Sequence, residues 1–287
     1  MLKKISKQIE ILFKVSRPPF ILFIESIFLI GFSLSGASWT PIAILQFILL
    51  SFPASVLLFG LNDVYDYESD LINPRKQGKA FGMALEKVNH AFVIKASYFF
   101  AILIFFSSVL TFNWQNILAT SLILVVAIFY SVPPLRLKTR PPFELILNVL
   151  GAYSLGFVGY THGSTVEHYF TTSSVNVLAA IFFWILGIAL VSYLADFDSD
   201  KLAGHITTVI LLGKRTTLVL IVINYIICGM LVYNQRVYNL MFLAFVLIHL
   251  WLVFNPSNLN TRKVYYITAS TSAIVILLNS ILLYLRV

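Results

Sequence analysis

The sequence predicts an all-α, multi-pass membrane protein, and three observations carry this prediction. Hydrophobic side chains make up 59% of the 287 residues and charged side chains only 11%, which is too apolar for a soluble domain. Apolar segments of about 20 residues, the length that crosses a bilayer, recur along the whole chain. Basic residues gather in alternate connections between these segments, as expected when those connections lie in the cytoplasm.

The apolar segments predict nine transmembrane helices in a single bundle that encloses a central cavity, within one domain over residues 1–287. Their approximate bounds are 18–39, 41–61, 89–110, 114–132, 143–161, 176–195, 216–234, 237–254 and 264–285. With the N-terminus in the cytoplasm, all of the 20 basic residues except Arg236 and Arg286 lie on the cytoplasmic side. One missed or additional helix would destroy this asymmetry, so the charges support the count.

Residues 1–17 differ from the apolar segments, because lysines alternate there with Ile, Leu and Phe at helical spacing. This pattern predicts an amphipathic segment on the cytoplasmic surface of the membrane. A cleavable signal peptide is the alternative interpretation, since small residues follow the first apolar run at Ser35 to Ala37. The net charge of +8 follows from the topology, so no nucleic-acid partner is expected. The single cysteine, Cys228, excludes an intramolecular disulfide.

The stretch 62–78, NDVYDYESDLINPRKQG, carries a dense group of polar side chains at the cytoplasmic end of a predicted helix. Its carboxylates lie on one helical face, at i, i+3 and i+7, with an amide beside them: Asp63, Asp66, Asp70 and Asn62. Such carboxylates repel one another unless a cation sits between them. Mg2+ takes oxygen ligands and usually shares them with a substrate phosphate. Arg75 and Lys76 follow and are suited to the remaining phosphate oxygens.

A second acidic cluster follows the sixth predicted helix. Asp196 and Asp200 share a helical face at i and i+4, while Asp198 points the opposite way. Both clusters fall at cytoplasmic helix ends, so they are able to face each other across the cavity. Ionisable groups in such positions favour a functional role, and solvated loop charges are the alternative. Lys201 and His205, next in sequence, are candidate contacts of a bound diphosphate.

The stretch 130–140, YSVPPLRLKTR, closes the fourth predicted helix. Pro133 and Pro134 end that helix, and Arg136 and Lys138 then present cationic groups to the cytoplasm. The positive-inside rule alone accounts for these charges. Their interest is that they lie on the same surface as both acidic clusters.

These motifs resemble those of a known family. NDxxDxxxD after the second helix, YSxPPLRLK after the fourth and DxxxD with LGKR after the sixth resemble the UbiA superfamily of intramembrane prenyltransferases. The resemblance implies a helical bundle open to lipid, in which two aspartate motifs bind Mg2+ and the diphosphate of an isoprenyl donor. The implied Mg2+ ligands are Asn62, Asp63, Asp66, Asp70, Asp196 and Asp200. Quinone-type members carry Tyr-x-x-x-Lys in the fourth loop, whereas Pro134 stands four residues after Tyr130 here.

The implied reaction transfers a prenyl group from an isoprenyl diphosphate to a lipophilic acceptor, with Mg2+ stabilising the leaving diphosphate. Its implied catalytic carboxylates are Asp66, Asp70, Asp196 and Asp200. Further contacts to the diphosphate are expected from Asn62, Arg75, Lys76, Arg136, Lys138 and Lys201. An aromatic face would stabilise the allylic cation, and Tyr130 is the first candidate, with Tyr65 and Tyr193 as alternatives.

The motifs NPRK and YSVPPLRLK resemble the lycopene elongase and chlorophyll synthase branches of the superfamily. They imply a carotenoid acceptor such as lycopene, with dimethylallyl diphosphate as donor; an aromatic or quinone precursor is the alternative acceptor. A membrane transporter is the alternative of another class, but transporter sites lie near the bilayer midplane on broken helices. We expect an integral plasma-membrane enzyme with its N-terminus and active site on the cytoplasmic side. The sequence predicts neither donor chain length nor oligomeric state.

Overall fold

The computed structural model describes residues 2–73, 76, 84–165, 167–168, 170 and 175–285. Every regular element in these residues is helical, which confirms the predicted all-α class. The α-helices, in chain order, are α1 Leu2–Val15, α2 Pro18–Leu34, α3 Pro41–Leu49, α4 Phe52–Tyr65, α5 Tyr67–Leu71, α6 His90–Val109, α7 Trp114–Ser131, α8 Phe143–Tyr160, α9 Val175–Leu202, α10 Thr208–Leu212, α11 Lys214–Leu231, α12 Arg236–Phe254 and α13 Asn258–Leu285. Short 3-10 helices cover Lys87–Asn89 and Leu137–Thr139.

Within the described residues, seven helical stretches are long and apolar enough to cross a membrane, counting α3 and α4 as one stretch, Pro41–Tyr65. An eighth is obtained if α1 and α2, which meet at a bend of 63°, form one span. Each predicted apolar segment is helical over most of its length, as expected because a chain in lipid must satisfy its backbone hydrogen bonds internally. A multi-pass membrane protein is confirmed, but the count of nine is not.

Helix α1 has two faces with different surroundings. Ile11 and Val15 are buried against Val64, Leu85 and Val93, so this face packs within the protein. Large apolar side chains elsewhere on the helix remain exposed: Ile5, Ile9 and Phe13. An exposed apolar stripe beside lysines favours the predicted position on the membrane surface.

The chain forms two compact units, and the first comprises Met1–Arg136, Leu150–Val166 and Ile276–Val287. Helix α4 is central to this unit, since it packs against α1, α2, α3, α6 and α7. Helices α2 and α8 approach closely at glycines. A Cβ added to Gly31 would lie 1.9 Å from the carbonyl oxygen of Gly156. Small residues allow such close backbone contact in membrane bundles.

The span formed by α3 and α4 is broken near its middle, although the apolar segment 41–61 predicts a continuous helix. Leu50 and Ser51 separate the two helices, and Pro53, which has no N–H to donate, lies in the first turn of α4. The hydroxyl of Ser51 donates a hydrogen bond to the carboxylate of Glu25 in α2. The break therefore places a polar contact inside an apolar stretch.

The second unit comprises Leu137–Val149 and Glu167–Val275. Helix α9 packs against α10 and α11, and α11 packs against α12. Gly187 of α9 leaves room for Tyr225 of α11, because a Cβ at that glycine would lie 2.9 Å from the tyrosine ring. A single domain over the whole chain remains a prediction.

Candidate active site

The first acidic cluster is built at the end of α4, where Asp63 is fully buried. Arg17, the residue before α2, places a guanidinium nitrogen 2.6 Å from Asp63 Oδ1. The centre of the same guanidinium lies 4.4 Å from the centroid of the Phe59 ring. Arg17 belongs to none of the motifs recognised in the sequence. Its only sequence signal is a basic residue directly before two prolines at the start of a span.

Lys76 lies between two of the carboxylates. Its Nζ is 2.5 Å from Asp63 Oδ1 and 3.0 Å from Asp70 Oδ2, and the side chain is buried. Because one ammonium contacts both carboxylates, Asp63 and Asp70 lie on the same side of the chain, as their spacing predicts. Helical backbone hydrogen bonds continue past the end of α4, from Asp66 N to Asn62 O and from Asp70 N to Asp66 O.

The motif after α7 reaches the same cluster through Arg136. Its guanidinium donates to Asp66 Oδ1 at 2.9 Å and to the carbonyl oxygen of Tyr65 at 3.2 Å. Arg136 has a left-handed backbone, with φ of 39°. Two of the cations predicted to bind the diphosphate, Lys76 and Arg136, therefore contact the first aspartate motif.

Each aspartate of the first motif meets a cation. Among the described residues, Arg17, Lys76 and Arg136 supply these positive charges. Burial raises the pKa of Asp70 to about 6, while the nearby Lys76 ammonium opposes this shift and the negative charge of Asp63 adds to it. Below that pH a proton on Asp70 competes with a metal ion for the carboxylate.

The donor atoms of this cluster suit a hard divalent cation. In the described part of the chain, no three acidic, histidine or cysteine side chains form a ready metal site, and cations stand between the carboxylates instead. Asp63 Oδ2, however, is buried without a hydrogen-bond partner among those residues. A buried polar atom left in this way costs about 1–3 kcal/mol. Oxygens from Asp63, Asp70 and Asn62 are the ligand type that Mg2+ prefers.

The second acidic cluster lies on the last turns of α9. Asp198 forms an ion pair with Lys214 at 2.8 Å. Asp200 Oδ1 lies 3.4 Å from His205 Nδ1, and the backbone N–H of His205 donates to the carbonyl oxygen of Asp200. Asp196 and Asp200 are half-buried. Asp198 and Asp200 have different partners, in agreement with the prediction that Asp198 points away from the face shared by Asp196 and Asp200.

The other predicted contacts of the substrate have different surroundings. Lys138 is buried in a short 3-10 helix, Lys201 is exposed on the last turn of α9, and Tyr130 is half-buried near the end of α7. Arg75 lies outside the described residues. The roles of these four side chains remain predictions.

A buried carboxylate that contacts the chain just after the second motif was also not predicted from the sequence. Glu144, fully buried in the first turn of α8, accepts a hydrogen bond from the backbone N–H of Thr208 at 2.5 Å. It therefore holds the start of α10, the short helix that follows the second aspartate motif. A lone Glu in a helical first turn gives no sequence signal for this role.

The family model and the curated relatives that match this chain agree on one type of protein. Residues 26–283 match the family model described as the UbiA prenyltransferase family. A lycopene elongase/hydratase of Haloarcula japonica is 30% identical over 212 residues, which cover 72% of this chain and 68% of the relative. A lycopene elongase/hydratase of Corynebacterium glutamicum is 29% identical over 185 residues, covering 63% of this chain and 61% of the relative.

Solved structures share the fold at low identity. A UbiA homologue from Archaeoglobus fulgidus bound to GPP and Mg2+ superposes with a TM-score of 0.68 at 20% identity, covering 94% of this chain and 99% of the homologue. The apo structure of a UbiA homologue from Aeropyrum pernix gives a TM-score of 0.70 at 17% identity, with coverages of 93% and 98%. At these identities the likeness establishes the fold.

Proposed function

This chain belongs to the UbiA prenyltransferase family, and on that premise we propose that it transfers a prenyl group from an isoprenyl diphosphate to a carotenoid such as lycopene, with Mg2+ as cofactor. The observation that carries the proposal is the first acidic cluster, in which three buried aspartates alternate with cations. The lycopene elongase/hydratase relatives support the acceptor, and the homologue bound to GPP and Mg2+ supports the donor and the metal.

In the proposed complex, the side chains that hold Mg2+ at the first motif are Asn62, Asp63, Asp66 and Asp70. When bound there, Mg2+ would supply positive charge to the diphosphate oxygens, which would stabilise the leaving group. The cations that would exchange their carboxylate contacts for diphosphate oxygens are Arg17, Lys76 and Arg136. A guanidinium can bind phosphate through two parallel N–H groups, which fixes the position of the leaving group.

We assign the same metal-binding role to the second motif. Asp196 and Asp200 share a helical face, whereas Asp198 is already paired with Lys214 and is left out of the ligand set. Additional donors to the diphosphate are Lys138 and Lys201. Tyr130 would offer its aromatic face to the allylic cation that forms when the diphosphate leaves.

The proposal is tested by following the prenyl group into a product. Membranes that contain the protein are incubated with Mg2+, labelled dimethylallyl diphosphate and lycopene, and the extracted lipids are analysed by mass spectrometry. Parallel reactions replace lycopene by an aromatic acid or Mg2+ by a chelator. We expect label in an extended carotenoid only when Mg2+ is present.

Two other results would contradict the proposal at different levels. Label in the aromatic product alone would overturn the carotenoid acceptor and retain prenyl transfer. Absence of label from both acceptors, with dimethylallyl and with longer isoprenyl diphosphates, would overturn the proposed reaction for this chain.

A further inference from the structure

A carboxylate outside both aspartate motifs lies within an apolar helix. Glu25 is the eighth of the 17 residues of α2, in the stretch FILFIESIFLI. Among the described residues it forms no ion pair, although an ionisable group at membrane depth is costly and usually functional. Nothing in the reaction described above uses this group.

Glu25 faces a polar break in the neighbouring span. Ser51 occupies the N-cap position of α4, but its side chain does not cap that helix. Its hydroxyl donates to the Glu25 carboxylate instead. One turn later on the same face of α4, Ser55 is fully buried, and its hydroxyl has no hydrogen-bond partner in the described part of the chain. We name the Glu25 carboxylate, the Ser51 hydroxyl that it contacts and the Ser55 hydroxyl one turn further along α4 the Glu25 site.

The Glu25 site lies farther along α2 than the first acidic cluster. Arg17, at the start of α2, contacts Asp63, so this end of α2 lies beside the cluster. At 1.5 Å per residue, the Cα atom of Glu25 lies roughly 12 Å farther along α2. Helical side chains lean toward the helix N-terminus, which brings the carboxylate back toward the cluster. In the proposed complex, we place the apolar prenyl tail of the donor along α2, between the cluster and this site.

Prenyl transfer to an alkene requires a base, because the acceptor becomes a cation. The C1–O bond of the donor breaks, and the diphosphate leaves with the electron pair. The π electrons of a terminal C=C bond of the carotenoid then form the new bond to C1, which leaves a tertiary cation on the acceptor. That cation is discharged either by loss of an adjacent proton, which forms a new C=C bond, or by attack of water, which gives an alcohol once the added water loses a proton.

We propose that Glu25 is the base that accepts this proton, an inference that rests on the proposed function. The aspartates of the first motif each face a cation, whereas no described cation pairs with Glu25. The unpartnered hydroxyl of Ser55, beside Ser51, is suited to hold the water of the second route, since buried water binds where polar groups lack partners. The Glu25 site therefore serves both ways of discharging the cation.

The test separates a base from an interhelical hydrogen bond. In Glu25→Gln, the amide oxygen still accepts from Ser51 but cannot take a proton. We expect product formation to fall about 10²-fold, the usual size of a general-base contribution, with unchanged KM for the donor and unchanged thermal unfolding. The matched control is Ser26→Ala, next to Glu25 on α2, which removes a hydroxyl that donates to the carbonyl oxygen of Phe23 in the same helix and leaves the contact between Glu25 and Ser51 in place. We expect it to retain the wild-type rate.

The opposite pattern would overturn the role of Glu25. A Glu25→Gln protein that turns over like an active wild type shows that the carboxylate only joins two helices. If that variant does not fold, Glu25→Asp is the substitute, because it keeps a carboxylate on a side chain that is one methylene group shorter. We expect Glu25→Asp to lower kcat without changing the KM for the donor. An unchanged kcat would contradict the proposal. A wild-type protein that prenylates no carotenoid contradicts the proposed function itself. In that case no carotenoid cation forms, and Glu25 has no proton to accept.

Discussion

Asp63 is the residue on which the first acidic cluster depends. It is fully buried, and Oδ1 accepts from both Arg17 and Lys76. Buried charges are tolerated only when they are paired, so removal of one partner costs far more than the net strength of the pair. Asp66 differs, because its partner Arg136 has a side chain that is 30% exposed. Neighbouring aspartates of one motif therefore differ in how strongly the stability of the fold depends on them.

The contrast predicts different stabilities for two isosteric variants. Asp63→Asn leaves the buried Arg17 without its carboxylate and Lys76 with Asp70 alone, and we expect a loss of about 3–5 kcal/mol. Asp66→Asn should cost about 1 kcal/mol at most, since water screens the Arg136 pair. Unfolding of both purified variants in detergent, compared with the wild type, measures this difference. Equal stability of the two variants would contradict the anchoring role of Asp63.

The sequence predicts some of these contacts and misses others for a physical reason. Helical periodicity is local, so the spacing of Asp63 and Asp70 is enough to place them on one side. Arg17 lies 46 residues before Asp63. Its contact depends on the bend between α1 and α2; the two prolines after Arg17 indicate a break there but not the angle of the bend. Lys76 and Arg136 were expected at a diphosphate, and the structure pairs them with the carboxylates.

The contact between helices α2 and α8 is set by glycines with unequal space around them. A Cβ on Gly31 would stand 1.9 Å from a backbone oxygen of α8, and a backbone atom cannot move aside as a side chain can. A Cβ on Gly156, in the same contact, would meet nothing closer than 3.8 Å. An added methyl group therefore clashes with the neighbouring backbone at Gly31 and fits at Gly156.

This difference gives a paired prediction. Gly31→Ala should destabilise the protein by about 1–3 kcal/mol through overpacking, whereas Gly156→Ala should leave its stability close to that of the wild type. Thermal unfolding of the two variants in the same detergent is the measurement. A Gly31→Ala protein as stable as Gly156→Ala would show that the helices separate at little cost.

A buried polar network joins helices α3, α7 and α8. Asn116 Nδ2 donates to Gln46 Oε1 at 3.1 Å and to Thr161 Oγ1 at 3.0 Å. His162, just after α8, lies with Nε2 2.7 Å from Gln46 Oε1. Burial lowers the pKa of His162 from 6.5 to about 4. The imidazole therefore joins this network in its neutral form at neutral pH.

The lowered pKa of His162 predicts how stability changes with pH. Above pH 6.5 the histidine is neutral whether the protein is folded or unfolded, so its contribution is complete. As the pH falls from 6.5 toward 4, the unfolded chain takes up a proton that the folded protein resists, and stability decreases. Unfolding temperatures across this range should decrease less in His162→Gln than in the wild type. Parallel curves for the two proteins would contradict the burial of a neutral His162.

At the scale of the whole molecule, hydropathy predicts where helices occur but not how they are interrupted. Every predicted segment is helical over most of its length, because lipid leaves the backbone no other way to satisfy its hydrogen bonds. The break at Leu50 and Ser51 is missed, since apolar residues continue through it and its polar contact, Glu25, lies on another helix. A fold shared with the Archaeoglobus fulgidus homologue at 20% identity shows that such patterns specify the architecture. The acceptor depends on particular side chains, which patterns do not specify.

The most direct measurement is the Mg2+ dependence of prenyl transfer in matched variants of the aspartate motifs. Labelled dimethylallyl diphosphate and lycopene are supplied to the wild type, Asp66→Asn, Asp196→Asn and a control, Glu68→Gln. Glu68 lies in the same stretch as Asp66 but is exposed and pairs with Lys87 at 2.9 Å. We expect the wild type and the control to form a Mg2+-dependent carotenoid product at equal rates. The rate of both aspartate variants should fall about 10²-fold or more, since in the proposed complex each substitution removes charge that holds the metal and the leaving group. Transfer that persists without Mg2+, or at the wild-type rate in either aspartate variant, would contradict the assignment.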